Sequence, residues 1–500
     1  MCKESICFLG ALTTFLLLAM LLVMAISAQG GLRLVAVSYA GWDQLQQLAS
    51  GGLRILNYQG DVLAALCLDE QIAQLRNAGF QVRILDAAPD ANLARYYLAY
   101  PPPGGDWASL PQVDALYQYG KGVYIAKATS SQVENLINQG IQIAKLPSSV
   151  VLSRMQPDIS IPREMLLYSR SIQAMVDAVS PTLLIQHVCK LQDDDGLQYC
   201  NELGTRYSYA TAKLNEAAQY LYHQYRTLGL RVAYEPFIHN GRVMTNVVAE
   251  LTGAGPASDH IYILCAHYDS TSNEPYRAAP GADDNASGSA AVLEAARILS
   301  RHPVAHTLRF IHFAGEEQGL IGSAHYAAQA AQRGDVIVGV INLDMIAYES
   351  LPPNDHIVEI HAGTNPASIA LADALISSIG RYGLLLRPEK IIQDATGRSD
   401  HASFWNYGYP AILCIEDFQD FNPYYHSTND TLSRLQTQMM VEFTRACIAT
   451  LAKLALTMPV PASTVVPMSV PAGAALPFAS PLPTNVSSDC ILNRLSSALY

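Results

Sequence analysis

Acidic and imidazole side chains follow a series of apolar segments in the middle of this chain. The segments IYILCAHYDS, FIHFAGEEQG and VINLDMIA each contain an apolar run of strand length, and GADDNASGSA is a loop rich in small residues. A later segment, YYHSTND, adds one more histidine. The side chains presented in this way are those of His267, Asp269, Asp283, Asp284, Glu316, Glu317, Asp344 and His426. Because ligands bind to open α/β sheets outside the carboxyl ends of the strands, we expect these side chains to meet in one crevice.

Imidazoles and carboxylates in this combination provide the nitrogen and oxygen ligands that a pair of zinc ions needs, with an open position left for water. Charged groups that follow apolar runs also need a reason to be partly buried, and metal coordination provides one. A Ser–His–Asp triad is a poor alternative, because the sequence has no G-x-S-x-G motif. The pattern therefore predicts a metal-dependent hydrolase.

The composition allows large cores and disfavours one class of partner. The chain has 500 residues, of which 50% are hydrophobic and 15% charged, so two or three domains of ordinary size are expected. The formal net charge is −12, from 31 basic and 43 acidic residues, and no basic tract is present to neutralise phosphates. The sequence therefore argues against a nucleic-acid partner.

The N-terminal residues 1–30 resemble a secretory signal peptide. One lysine precedes a long apolar run, and small residues follow it. The run is close to the ~20 residues that span a bilayer, so an uncleaved membrane anchor is the alternative. Either interpretation predicts a secreted or extracytoplasmic protein that contacts a membrane only through an uncleaved anchor. In an oxidising compartment Cys189 and Cys200 are candidate disulfide partners, with two unpaired thiols as the alternative.

Residues 31–152 form a first unit that contains an internal repeat. The segment 61–85 aligns without gaps with 122–146, and each copy has the pattern strand, helix, glycine stop, strand. Gly79 and Gly140 stand where helix C-caps are expected. The two copies are predicted to pair into one small α+β domain of ferredoxin-like type. We interpret this unit as an accessory domain, or alternatively as a propeptide that assists folding or covers the active site.

Residues 162–457 have the pattern of a single catalytic domain. Strand-like segments alternate there with the helical segments 211–230, 287–299, 320–331, 366–379 and 435–456. This alternation predicts an α/β layered fold with a mostly parallel, mixed central sheet flanked by helices. In residues 458–500 proline and small residues are frequent, which predicts an extended tail.

Over roughly residues 169–456 the sequence resembles the secreted di-zinc aminopeptidase family, whose relatives include vacuolar aminopeptidase Y and glutamate carboxypeptidase. The motifs AHYDS, ADDNASG, GEE, NLDM and YHSTNDTL carry the resemblance and occur in the family's order. The resemblance implies two zinc ions per chain. The ligands that it implies are His267 and Asp344 for one ion, Glu317 and His426 for the other, and Asp283 as the bridge between them.

The same resemblance implies that Glu316 is the general base and that a cis peptide bond joins Asp283 to Asp284. The residue types agree with these roles. A bridge requires a carboxylate, because an imidazole nitrogen offers a single lone pair, and a glutamate beside a ligand can move a proton from water to the leaving amine. Asp269 fits an acceptor that orients the imidazole of His267 and raises its basicity.

The expected activity is that of an exopeptidase acting on peptides with a free amino terminus. One alternative is a carboxypeptidase of the same fold, for which Arg398 is a candidate partner of the substrate carboxylate. Another is an acyltransferase of glutaminyl cyclase type, which works with one zinc ion. A third is a receptor-like domain that has lost its metals. The complete ligand set and the intact Glu316 argue against the last two.

Overall fold

The computed structural model describes residues 31–90, 92–102, 113–152, 167–192, 204–350 and 355–456 of the chain. The predicted leader, the tail and Cys200 lie outside these ranges. Cys189 is disulfide-bonded, so the prediction of a disulfide at this position is confirmed. Within the described ranges no helix is long and apolar enough to cross a membrane.

Two small antiparallel sheets build the first unit. The first sheet has the order β2-β3-β1-β4 and the second has the order β6-β7-β5-β8. The strands are β1 (Leu32–Ser38), β2 (Arg54–Gln59), β3 (Val62–Leu68), β4 (Val82–Asp86), β5 (Tyr96–Tyr100), β6 (Ala115–Gly120), β7 (Val123–Lys127) and β8 (Gln142–Lys145). The helices are α1 (Gly41–Ser50), α2 (Asp69–Asn77) and α3 (Ser130–Ile137).

The internal repeat corresponds to β3-α2-β4 and β7-α3-β8. Gly79 and Gly140 follow the two helices with φ of +90° and +75°, the left-handed conformation that glycine adopts without strain. The two copies, predicted to pair into one small α+β domain of ferredoxin-like type, do not share a sheet. In each copy the preceding strand, β1 or β5, lies between the copy's own two strands, so each copy completes a sheet of its own.

An eight-stranded sheet forms the centre of the rest of the molecule, with the order β15-β14-β16-β13-β11-β12-β10-β9. The four central strands β16, β13, β11 and β12 run parallel. On one side β14 pairs antiparallel with β16, and on the other β10 pairs antiparallel with β12. The predicted α/β fold with a mostly parallel, mixed sheet is therefore confirmed. Its strands are β9 (Arg231–His239), β10 (Arg242–Leu251), β11 (His260–His267), β12 (Thr307–Phe313), β13 (Val336–Leu343), β14 (Ile357–His361), β15 (Arg387–Ile391) and β16 (Ala411–Ile415).

Helices cover this sheet, and its central strands are apolar because both of their faces are buried. Along β11 the residues alternate between two hydrophobic clusters: Leu264 belongs to one, and Ile263 and Cys265 belong to the other. The helices are α4 (Arg170–Asp177), α5 (Pro181–Gln192), α6 (Thr211–Thr227), α7 (Gly288–Leu299), α8 (Ile321–Arg333), α9 (Pro366–Arg381), α10 (His401–Trp405) and α11 (Thr437–Ala455).

The first unit packs against the sheet domain. The cluster that contains Ile263 continues without interruption into both small sheets, where it includes Leu63 and Ile125. At the periphery Lys121 Nζ lies 2.8 Å from Asp394 Oδ2. The two parts therefore share one hydrophobic core.

Candidate metal centre

Three neighbouring parallel strands place acidic and imidazole groups at one edge of the sheet. His267 is the last residue of β11, Asp344 follows β13, and the Glu316–Glu317 pair follows β12. Because β11 lies between β12 and β13, these residues meet at the carboxyl ends of the strands, as the sequence predicts. His267 Nε2 lies 3.2 Å from Asp344 Oδ1 and 4.0 Å from Glu316 Oε2.

Asp284 is the residue that joins the two histidines. It lies in a short turn, residues 282–287, between β11 and α7. Its Oδ1 is 3.2 Å from His267 Nε2, and its Oδ2 is 3.3 Å from His426 Nε2. His426 comes from the segment after β16, and its Nε2 is also 2.8 Å from Glu317 Oε2. One buried carboxylate thus presents each of its oxygens to a different imidazole.

The sequence-based choice of Asp283 as the bridge is therefore wrong by one position. The carboxylate of Asp283 points away from both histidines and accepts hydrogen bonds from Ala347 N and Asn422 Nδ2, each at 2.9 Å. The cis peptide bond is likewise one position later than predicted and joins Asp284 to Asn285. Adjacent residues of this turn project in different directions, so only the second aspartate faces the centre.

Two buried side chains hold this turn in place. The carboxylate of Asp430 accepts hydrogen bonds from the backbone N–H groups of Asp283 and Asp284, both at 3.0 Å. The guanidinium of Arg206, only 2% exposed, donates to four backbone carbonyls, two of which immediately precede the turn. These acceptors are the carbonyl oxygens of Leu191, Tyr268, Pro280 and Gly281. Sequence reasoning missed both residues, although Asp430 belongs to the recognised motif YHSTNDTL.

Asp269 lies behind the metal-facing side chains. Nδ1 of His267 is 3.1 Å from the backbone carbonyl oxygen of Asp269 and 3.6 Å from its Oδ1. The carboxylate itself accepts hydrogen bonds from the backbone N–H groups of Glu316 and Glu317, at 3.2 and 3.3 Å. Asp269 therefore contacts the imidazole through its carbonyl, whereas its carboxylate holds the loop that carries the two glutamates. Asp344 has a supporting side chain of its own, because Ser399 Oγ donates a hydrogen bond to Asp344 Oδ2 at 2.5 Å.

The donor atoms fit a pair of metal ions. Two ligands of a tetrahedral zinc ion, at ~2.0–2.2 Å from the metal, lie roughly 3.3–3.6 Å apart. The separations around Asp284 are 3.2 and 3.3 Å. The carboxylate oxygens of Glu317 and the ring nitrogens of His426 converge, with Oε2 and Nε2 only 2.8 Å apart, without the angular geometry of a hydrogen bond. Buried polar atoms that converge without bonding to each other are typical of a cation site.

The electrostatics of the centre also favour bound cations. Burial raises the pKa of Glu316 well above its usual range, partly opposed by the nearby His267, and raises the pKa of Glu317 to about 7. Burial acts in the same direction on Asp284, but the two imidazoles outweigh it and lower its pKa. For His426, burial is outweighed by the carboxylates of Glu317 and Asp284, which raise the pKa to about 10. Carboxylates crowded into a buried space need positive charge beside them.

The first unit contributes one side chain to this centre. Gln142 Nε2 donates a hydrogen bond to Glu316 Oε1 at 2.7 Å, and Gln142 is only 5% exposed. Local sequence pattern carries no signal for this contact, because Gln142 is an ordinary position of the internal repeat, equivalent to Gln81.

Comparison with known proteins agrees with this geometry. The family model for peptidase family M28 matches residues 246–451, a range that contains every metal-facing residue described above. A probable leucine aminopeptidase of Trichophyton verrucosum is 30% identical over 273 residues, which cover 52% of this chain and 71% of that protein. The chain belongs to peptidase family M28.

Other proteins resemble this M28 chain over different lengths. A probable aminopeptidase of Saccharomyces cerevisiae is 31% identical over 229 residues, which cover 44% of this chain but only 60% of the yeast protein. The crystal structure of the LapA aminopeptidase of Legionella pneumophila superposes with a TM-score of 0.55 at 21% identity, covering 73% of this chain and 99% of that chain. At this level of identity the superposition shows a common fold.

Proposed function

We propose that this member of family M28 is a secreted two-zinc aminopeptidase that releases single N-terminal residues from peptides. The observation that supports this proposal most directly is the position of Asp284. Its two oxygens lie 3.2 and 3.3 Å from two different imidazoles. With Asp344 beside His267 and Glu317 beside His426, the residues fall into two ligand pairs that share one carboxylate.

In this proposal His267 and Asp344 would hold one zinc ion, Glu317 and His426 would hold the other, and Asp284 would provide a ligand to each. Such a pair of ions supplies a Lewis acid for the scissile carbonyl and a site at which water is activated. The protein's contribution is to fix the ligands before the ions arrive. Asp430, Arg206 and Asp269 do so through the backbone of the two ligand-bearing loops.

We assign the general base to Glu316. Its Oε2 lies 4.0 Å from His267 Nε2, farther than the 3.2 Å of the Asp284 and Asp344 oxygens. It also lines the cavity beside the centre, so its carboxylate faces the space where a substrate would react. From there it can take a proton from the attacking water and return it to the leaving amine.

The expected substrate is a peptide with an unblocked amino terminus. The cavity wall carries the carboxylates of Asp284, Glu316 and Asp344. Carboxylates can accept hydrogen bonds from an α-ammonium group, and such charge-assisted bonds contribute about 1.5–3 kcal/mol each. Acetylation of the amine removes this charge, so it should lower kcat/KM at least about tenfold.

The carboxypeptidase alternative receives less support. Arg398 lines the same cavity, but its guanidinium donates to the carbonyl oxygen of Pro101 and lies 5.7 Å from the ring centroids of Tyr100 and Phe418. It is therefore engaged with the first unit. Secretion is proposed from the signal-like N-terminal residues, and the disulfide at Cys189 agrees with an oxidising compartment.

The experiment that tests the proposal combines metal analysis with a peptide panel. Purified full-length protein should contain two zinc ions per chain, lose activity on chelation and regain it when zinc is added. The panel should contain matched peptides with free and acetylated amino termini, and mass spectrometry should show loss of one N-terminal residue at a time. One metal ion per chain in a fully active sample would contradict the two-zinc assignment. Efficient cleavage of acetylated peptides, or stepwise loss from the carboxyl end, would contradict the aminopeptidase assignment.

A further inference from the structure

One positively charged side chain lines the cavity beside the metal centre. Arg398 forms part of the cavity wall together with Glu316 and Asp344. Its guanidinium lies 5.7 Å from the ring centroids of Tyr100 and Phe418. Burial lowers the pKa of Arg398, because the protein solvates the charge less well than water does. A charge in such surroundings needs a partner that compensates for the lost hydration.

The hydrogen bonds of Arg398 are incomplete. A guanidinium has N–H donors on all three of its nitrogens. Nη2 of Arg398 donates to the carbonyl oxygen of Pro101, and within the described residues Nε and Nη1 donate no hydrogen bond. No carboxylate in the described part of the chain forms an ion pair with this guanidinium, and the groups whose charges oppose the effect of burial are Tyr425 and Tyr100. Arg398 is therefore a cation with unused donors and no anionic partner among these residues.

Two other buried arginines of the molecule have complete sets of acceptors. The guanidinium of Arg206 donates to four backbone carbonyls. Nε of Arg309 lies 3.1 Å from a carboxylate oxygen of Glu250, and its Nη1 lies 2.6 Å from a carboxylate oxygen of Asp335. Arg398 has neither arrangement and, unlike these two residues, lines the cavity at the metal centre. Its unused donors are therefore available to an acceptor that enters the cavity.

We propose that Arg398 binds the side-chain carboxylate of an acidic N-terminal residue, so that the preferred substrates are peptides that begin with glutamate or aspartate. This inference rests on the proposed function, because it takes the cavity as the site of the N-terminal residue. A carboxylate accepts two parallel hydrogen bonds from the planar guanidinium, whereas the amide of glutamine or asparagine has only one oxygen. The carboxylates of Glu316 and Asp344 on the same wall remain for the α-ammonium group.

A free carboxylate could also come from the other end of a short peptide, as the α-carboxylate of its last residue. The composition of the cavity wall favours the side chain. Besides the charged groups, the wall contains the apolar side chains of Leu413, Ile415 and Phe421. Methylene groups that end in a carboxylate match an apolar wall that carries one guanidinium, because the methylenes are buried while the charge is paired.

The first measurement needs no variant. In zinc-loaded full-length protein, kcat/KM for Glu-Ala-Ala-NH2 should exceed that for Gln-Ala-Ala-NH2, a peptide of the same shape, by about tenfold to a hundredfold. This is the range expected for a hydrogen bond to a charged group. Glu-Ala and its C-terminal amide should be cleaved at similar rates. Equal values for the glutamyl and glutaminyl peptides, or a requirement for the free C-terminal carboxylate, would overturn the proposal.

Substitution of Arg398 assigns the preference to this residue. Arg398→Met should lower kcat/KM for the glutamyl peptide about tenfold to a hundredfold and leave the value for the glutaminyl peptide unchanged. Arg398→Lys keeps the charge without the planar guanidinium and should retain part of the preference. Arg434→Met is the matched control, because Arg434 lies 4.4 Å from the ring centroid of Tyr424 but does not line the cavity. An equal fall for both peptides in both Arg398 variants would overturn the proposal and make Arg398 a structural contact to the first unit.

Equilibrium binding separates the specificity of the site from its catalytic activity. In zinc-loaded wild-type protein, calorimetry should give a lower Kd for L-glutamate than for L-glutamine, and Arg398→Met should remove this difference. If this result is seen but no peptide is hydrolysed, Arg398 binds a carboxylate as proposed and the aminopeptidase assignment fails. If leucyl peptides are hydrolysed but glutamate and glutamine bind equally, the proposed preference fails and the aminopeptidase assignment stands.

Discussion

Substitution of Asp430 should loosen the turn that carries Asp284. Its two carboxylate oxygens each accept one backbone N–H, from Asp283 and Asp284, at 3.0 Å, and the side chain is 1% exposed. A hydrogen bond to a charged group contributes about 1.5–3 kcal/mol, so Asp430→Ala should lower the free energy of unfolding by about 3–6 kcal/mol. Asp430→Asn keeps one acceptor oxygen and should lower the free energy of unfolding by about half of that amount. Because domains are stable by only about 5–15 kcal/mol, the asparagine variant is the more informative of the two.

Substitution of Asp430 should also weaken zinc binding. Residues that support metal ligands typically contribute about 10–100-fold to metal affinity, so we expect a zinc Kd that is weaker by this factor in Asp430→Asn. Urea unfolding of protein from which a chelator has removed the metal measures the change in the free energy of unfolding. Competition with a zinc-binding dye measures the zinc Kd. Asn429→Ala is the matched control, because Asn429 is adjacent and exposed and should change stability by less than about 0.5 kcal/mol. Unaltered stability and unaltered zinc affinity in Asp430→Asn would refute the role assigned to this carboxylate.

Three further substitutions test the centre itself. Glu316→Gln should keep both zinc ions while lowering kcat by roughly 10²–10⁴, and steady-state kinetics with a near-normal kcat would place the base elsewhere. Asp284→Asn should reduce the zinc content measured by atomic absorption, whereas its neighbour Asp283→Asn should retain two ions; the reverse result would restore the sequence-based assignment. Arg206→Lys should lower the free energy of unfolding by at least about 3 kcal/mol in urea, because an ammonium group cannot reach four carbonyls as a planar guanidinium does.

The location of the centre could be predicted from local pattern. Apolar runs of strand length followed by His267, Glu316 or Asp344 indicate parallel strands whose carboxyl ends carry polar groups, and both faces of these strands are indeed buried. Hydrophobic periodicity is a property of contiguous residues, so it can be read without knowing the rest of the fold. The choice between Asp283 and Asp284 could not be read in the same way, because a loop of small residues has no periodicity.

Contacts between residues that are far apart in the sequence decided the features of the site that local sequence pattern does not predict. The turn at Asp284 is oriented by Asp430, 146 residues away, and Gln142 reaches Glu316 across 174 residues. Such contacts depend on how whole layers pack, and no property of the local segments encodes them. The sequence by itself therefore determined the α/β fold and the set of side chains gathered at one edge of the sheet. Only the tertiary structure decided which aspartate faces both histidines and that Gln142 of the first unit contacts Glu316, because both depend on the direction in which a side chain points after packing.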